Sequence, residues 1–207
     1  KEYRRQRQMC IRDRGTPVDR VFLERFFDAH RADIRGAVLE VEAPVFSGRF
    51  GSGVTSTDIV DIDPRNDRAT IVGDLGATDL LPAGAFDCVI VPQTLQYVSD
   101  PRAAIVGLHA ALRPGGVLLI TMPMIAKLDE KASEVDHWRV TPVGMRHVLA
   151  AWCPGAEVTV ESEGNVLTAT AFLQGIAAEE LRPEEFDVRD PMYPMIVMAR
   201  VRRPEAD

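Results

Sequence analysis

Residues 112–123 read LRPGGVLLITMP, and the reading of this stretch decides the fold. Val117–Met122 is a short uninterrupted apolar run of strand type. Pro114-Gly115-Gly116 cannot continue a helix, so it predicts the end of the helix before it. That helix opens at Asp100-Pro101, a capping residue followed by proline at the first helical position, and is expected to reach Leu112. Ile105, Leu108 and Leu112 share one face of it. Further upstream, residues 86–91 (FDCVIV) are continuously apolar, as a strand buried on both faces requires. Strand, helix and strand at this spacing make a unit whose two strands run parallel.

The same pattern extends in both directions. Thr16-Pro17 starts a helix on which Val18, Phe22, Leu23, Phe26, Phe27 and Ile34 recur at helical spacing as far as Gly36. Strands are expected at Ala37–Val41, Val54–Ile59 and Ala69–Val72, with residues 47–53 as a loop or short helix. Thr141-Pro142 opens a helix to Trp152. Glu157–Glu161 alternates apolar and polar residues, as an antiparallel strand does. A helix over Asn165–Leu181 and a strand over Met195–Val201 follow. Seven strands alternating with helices predict an α/β fold with a doubly wound, mostly parallel sheet, helices on both faces and an antiparallel C-terminal edge. In such sheets ligands bind beyond the carboxyl ends of the strands.

Composition narrows the function classes. The 207 residues are 46% hydrophobic and 27% charged, ordinary for a soluble globular protein and enough for one sizeable core. The longest apolar stretch, Val117–Ala126, is about half a membrane span. No apolar segment follows the basic N-terminus, so no signal peptide is read and a cytoplasmic protein is expected. Cys10, Cys88 and Cys153 form neither a paired framework nor a metal signature. Residues 1–14 (KEYRRQRQMCIRDR) hold six basic and two acidic side chains, so the remaining 193 carry a net −11 of the chain's −7. The tail reads as a disordered basic arm, as a nucleic-acid or membrane arm, or as non-native sequence, since QRQMCIRDR resembles translated sequencing adaptor. It is set apart from residues 15–207, read as one domain. The acidic balance disfavours nucleic acid as a partner, and the short apolar runs give no membrane partner.

The ordered motifs resemble the class I S-adenosylmethionine-dependent methyltransferases, and within them a type 11-like subgroup found beside glycosyltransferases. LRPGGVLLITMP looks like the family's "LKPGG" turn and fifth strand. FDCVIVPQTLQYVSDP (86–101) looks like the fourth strand and "VLEH" segment, with Gln96 and Tyr97 in the Glu and His places. DHWRVTP (136–142) looks like "D-x-x-R-x-T". The resemblance spans about Val18–Arg200. It implies a Rossmann-like fold, S-adenosylmethionine as cofactor, and methylation of a small molecule, with a sugar or secondary-metabolite hydroxyl suggested by the subgroup. A non-catalytic relative that has lost the cofactor is the rival.

The resemblance also nominates residues. Glu40 stands where an acid at the end of the first strand receives the cofactor's ammonium. The glycine loop that should follow is degenerate: Glu42 and Pro44 replace the two close-approach glycines. Pro44 removes an N–H, and Glu42 places a like charge near the cofactor's carboxylate. Arg49 and Gly51 are candidates for a rebuilt loop, with Arg49 either pairing with that carboxylate or solvated. Asp58 is the favoured ribose-binding acid at the end of the second strand, with Asp61 next and Asp63 read as turn chemistry. Asp74 resembles the acid that receives the adenine amino group, with Leu75 donating its N–H, or else a helix cap. Pro92, Gln93 and Thr94 are expected at the cofactor and substrate mouth. His137 is the candidate general base or a loop-shaping residue. Arg139 anchors that loop or an acidic substrate group, and Trp138 walls the pocket or joins the core.

Overall fold

The computed structural model describes residues 15–130 and 132–205. The basic tail therefore lies outside the described residues. Seven strands form one sheet in the order β3-β2-β1-β4-β5-β7-β6. They are β1 (Gly36–Val41), β2 (Val54–Asp61), β3 (Ile71–Val72), β4 (Phe86–Pro92), β5 (Leu112–Pro123), β6 (Glu157–Glu163) and β7 (Ile196–Arg202). Strands β1 to β5 pair in parallel. Strand β7 runs antiparallel to both β5 and β6. This is the doubly wound, mostly parallel sheet expected from the sequence pattern, and it matches the Rossmann-like fold that the resemblance implies.

The alternation of side chains along the central strands builds two cores. Val38, Cys88, Ile90, Val117, Leu119 and Met198 face one side, packed against α1 (Val18–Ala29), α2 (Phe46–Phe50) and α5 (Val166–Gln174). Leu39, Val89, Val91, Leu118, Ile120 and Val197 face the other, against α3 (Pro101–Ala111) and α4 (Pro142–Trp152). Asp100 and Thr141 cap these last two helices through their side chains, each followed by proline at the first position. Cys88 is fully buried, and burial pushes its thiol pKa up.

Three expectations about elements are corrected. The α3 helix stops at Ala111, before the Pro-Gly-Gly turn, and that turn lies inside β5. Phe86 pairs with Leu112 and Cys88 with Val117, so the extra residues bulge out with Gly115 at φ 75°. The last helix ends at Gln174 rather than Leu181, because Gly175 takes a left-handed C-cap at φ 70°. Strand β2 runs two residues past Ile59, to Asp61, where its backbone still pairs with β3. No helix among the described residues is long and apolar enough to cross a membrane.

Candidate functional site

Strands β1 and β4 are neighbours at the centre of the sheet, and the chain turns outward in opposite directions from them. Beyond the carboxyl ends of these strands lies a cleft of about 560 Å³. Its walls come from the strand ends in turn: Val41 and Glu42 after β1, Asp61–Asp63 at β2, Gly73–Leu75 after β3, and Pro92–Thr94 at β4. Tyr97, Val98 and Ser99 continue the wall, and Ala132, Val135 and His137 face them from the segment before α4. The size suits a nucleoside-sized ligand.

Glu42, Asp74, Leu75, Pro92, Gln93, Thr94 and His137 therefore line one cleft. Asp74 Oδ1 accepts the Gly76 N–H at 2.8 Å, and Leu75 is buried beside it. Gln93 sits at φ 47°, held by N–H donation to the Thr121 carbonyl at 3.0 Å and hydroxyl at 3.1 Å. The Thr94 hydroxyl donates to the Pro92 carbonyl at 2.9 Å. The His137 N–H donates to the Gln96 carbonyl at 2.8 Å, which docks the covering segment onto the turn after β4.

Six other candidates are placed elsewhere. Glu40 is completely buried on the α1 side of the sheet. Its Oε1 accepts the Val45 and Phe46 N–H groups at 3.0 and 2.8 Å. Its Oε2 accepts the Ser47 N–H at 2.9 Å and the Ser47 hydroxyl at 2.5 Å. Burial raises its pKa against those hydrogen bonds. The carboxylate expected to meet an ammonium is thus occupied in holding α2. Arg49 pairs with Glu24 and lies over the Phe50 ring, away from the cleft. Gly51 ends α2, where a Cβ would stand 2.3 Å from the Ser47 carbonyl oxygen, so its role is packing. Asp58 lies inside β2 and accepts the Thr70 hydroxyl at 2.8 Å. Trp138 neither walls the cleft nor joins the core: it is 42% exposed and donates Nε1–H to the Val98 carbonyl at 2.8 Å. Arg139 anchors the loop through both oxygens of Asp136, and its guanidinium lowers the Asp136 pKa.

Asp61, the second candidate for the ribose-binding acid, lines the cleft where Asp58 does not. Its Oδ1 accepts the Asp63 N–H at 2.9 Å and its Oδ2 accepts Asn66 Nδ2–H at 2.7 Å. Ile62, next to it on the wall, is 67% exposed. Asn66 was not singled out in the sequence. It donates its second Nδ2 hydrogen to the Glu42 carbonyl at 2.8 Å and so ties the β1 loop to Asp61. A side chain from a turn five residues downstream leaves no periodic signal by which it could be found.

The loop after β1 has an unusual hydrogen-bond state. Glu42 holds φ 69°, a left-handed conformation that favours glycine. Its N–H donates to the Val60 carbonyl at 3.0 Å, and the Ala43 N–H to the Val41 carbonyl at 2.8 Å. Pro44 has no N–H, and the next three are taken by Glu40. Residues 42–47 therefore turn no free N–H toward the cleft. The Glu42 carboxylate, by contrast, is exposed and has no ion-pair partner among the described residues.

A family model described as a methyltransferase domain matches residues 20–151. No curated protein matches the chain. Among solved structures, an S-adenosylmethionine-dependent methyltransferase from Mesorhizobium loti is 18% identical, with a TM-score of 0.59 over 86% of this chain and 96% of that one. One from Archaeoglobus fulgidus is 14% identical, with a TM-score of 0.56 over 89% and 94%. Phosphoethanolamine N-methyltransferase 2 from Haemonchus contortus, in complex with S-adenosyl-L-methionine, is 15% identical, with a TM-score of 0.53 over 83% and 49%.

Proposed function

Because the chain belongs to the methyltransferase-domain family, we propose that it binds S-adenosylmethionine in the cleft and methylates a small molecule. One observation carries this reading: Asp61, Asp74 with Leu75, and His137 converge on one cleft at the central strand ends. Asp61 accepts the ribose hydroxyls, keeping lone pairs free beyond its two internal bonds. Ile62 offers an apolar face to the base, and Asp74 with the Leu75 N–H reads its edge. When bound, the cofactor supplies a methyl group on a sulfonium, open to in-line displacement. Pro92–Thr94 and the covering segment hold the acceptor and exclude water. His137, exposed on the cleft wall, takes the acceptor's hydroxyl proton. The acceptor is a hydroxyl of a sugar or secondary metabolite, and the net charge of −7 weighs against nucleic acid. Two buried free thiols suit a cytoplasmic location, and residues 15–207 act as one domain.

Isothermal titration with S-adenosylmethionine and its demethylated product tests the cofactor reading. Micromolar binding is expected, and no heat at millimolar ligand overturns it. A second reading, a scaffolding protein that keeps the fold without the cofactor, is favoured by the absence of free N–H groups over residues 42–47. The same titration separates the two. For the base, His137→Ala is expected to lower transfer of labelled methyl to an accepted hydroxyl compound about 10²–10⁴-fold. Cofactor affinity should stay within about threefold of the parent, because the histidine handles the acceptor's proton. Unchanged transfer removes His137 from the chemistry.

A further inference from the structure

The loop after β1 is built to meet positive charge and offers nothing to a carboxylate. Its N–H groups over residues 42–47 are all consumed within the protein. Its one unpaired charged group is the Glu42 carboxylate, on the cleft wall beside Asp61 and Asp74. Of the acids on that wall, Asp63 has a partner, Arg65 at 2.8 Å. The first cation downstream of Glu42 in sequence, Arg49, is engaged by Glu24. The Glu42 main chain is fixed from both sides, by the Val60 carbonyl and by Asn66. Asn66 bridges it to the acid that faces the ribose.

We propose that Glu42 recognises the cationic end of the cofactor, so that the site selects its ligand by positive charge and leaves the amino-acid carboxylate to solvent. The inference rests on the cofactor reading above. Glutamate is accepted at a left-handed position because its charge works there. The recognised chemistry is a sulfonium nucleoside bearing an amino group, whether or not the carboxylate is present.

The test titrates four ligands into the parent protein and into Glu42→Gln, which keeps the size and backbone demand of the residue. The ligands are S-adenosylmethionine, S-adenosylhomocysteine, decarboxylated S-adenosylmethionine and 5′-methylthioadenosine. Glu42→Gln is expected to weaken S-adenosylmethionine about tenfold, as one lost charge contact at partial exposure implies. It should change 5′-methylthioadenosine, which lacks the charged end, by less than about twofold. The parent should bind the decarboxylated form at least as tightly as S-adenosylmethionine, and S-adenosylhomocysteine more weakly. Added salt should narrow the gap between S-adenosylmethionine and 5′-methylthioadenosine in the parent. Equal weakening of all four ligands, or tighter S-adenosylmethionine binding by the variant, overturns the Glu42 assignment and leaves the cofactor reading standing. Failure of the parent to bind any of the four, the neutral nucleoside included, overturns the cofactor reading itself.

Discussion

Asp58 and Asp61 are three positions apart in one strand, and a strand alternates faces every residue. They therefore leave opposite sides of β2, and only Asp61 reaches the cleft. Asp61→Ala is expected to weaken nucleoside binding by about tenfold or more, since it removes charge-assisted hydrogen bonds. Asp58→Ala should leave binding unchanged. Titration calorimetry on the two variants decides the matter, and the reverse order would relocate the ribose site. Glu42 makes a separate point about stability. A non-glycine residue at φ 69° costs roughly 1 kcal/mol. Glu42→Gly is accordingly expected to raise the melting temperature by about 3 °C, even though it removes the charge in the cleft. A lowered melting temperature would mean that the Glu42 side chain supports the fold.

The short helix α2 depends on a group outside itself. Glu40 supplies acceptors for the N–H groups of Val45, Phe46 and Ser47 and for the Ser47 hydroxyl. Removing it leaves four donors without partners, three of them on the buried residues Phe46 and Ser47. Glu40→Ala is expected to lose about 3 kcal/mol in urea unfolding, and a loss below about 1 kcal/mol would show that water replaces the carboxylate. At this scale the sequence was legible where a local signal existed. Asp100-Pro101 and Thr141-Pro142 start helices as expected, and the continuous run at 86–91 is a central strand. It was illegible where tertiary pairing decides. The Pro-Gly-Gly turn reads as a helix stop in isolation, yet the neighbouring strand draws it into β5 as a bulge. Where β2 ends is set by its pairing with a strand of only two residues, Ile71–Val72. The same logic explains Glu40: its position at a strand end was readable, but not the three amides folded back onto it.

Across the whole molecule, one charge cluster joins the end of α1 to the antiparallel edge of the sheet. His30 lies 3.6 Å from Asp33 and 3.8 Å from Glu161 on β6. Arg200 on β7 holds Asp33 through both oxygens, at 2.8 and 3.0 Å. Asp33 first and Glu161 second raise the His30 pKa to about 9, with burial opposing them. For Asp33, burial pushes upward, but His30 and Arg200 outweigh it and the net shift is down. A raised histidine pKa stabilises the fold while the ring is charged. That contribution is complete below about pH 6.5 and disappears as the pH rises to about 9. Glu161 is more than a third exposed, so solvent screens its share, and about 2 kcal/mol is expected in all. Unfolding free energies of the parent and His30→Gln should differ by that amount at pH 6 and converge near pH 9.5. A difference independent of pH would assign the effect to packing against Phe26.

The place of β7 between β5 and β6 also orders events in time. On a ribosome, the outer edge of β5 and the whole of β6 have no hydrogen-bonding neighbour until Ile196–Arg202 emerges, about thirty residues after Glu163. At roughly 5–20 residues per second, that is a wait of a few seconds with these strand edges open. The five parallel strands that frame the cleft can pair during this interval, before the antiparallel edge is closed. Nascent chains stalled before residue 196 are thus the species most exposed to edge-to-edge association.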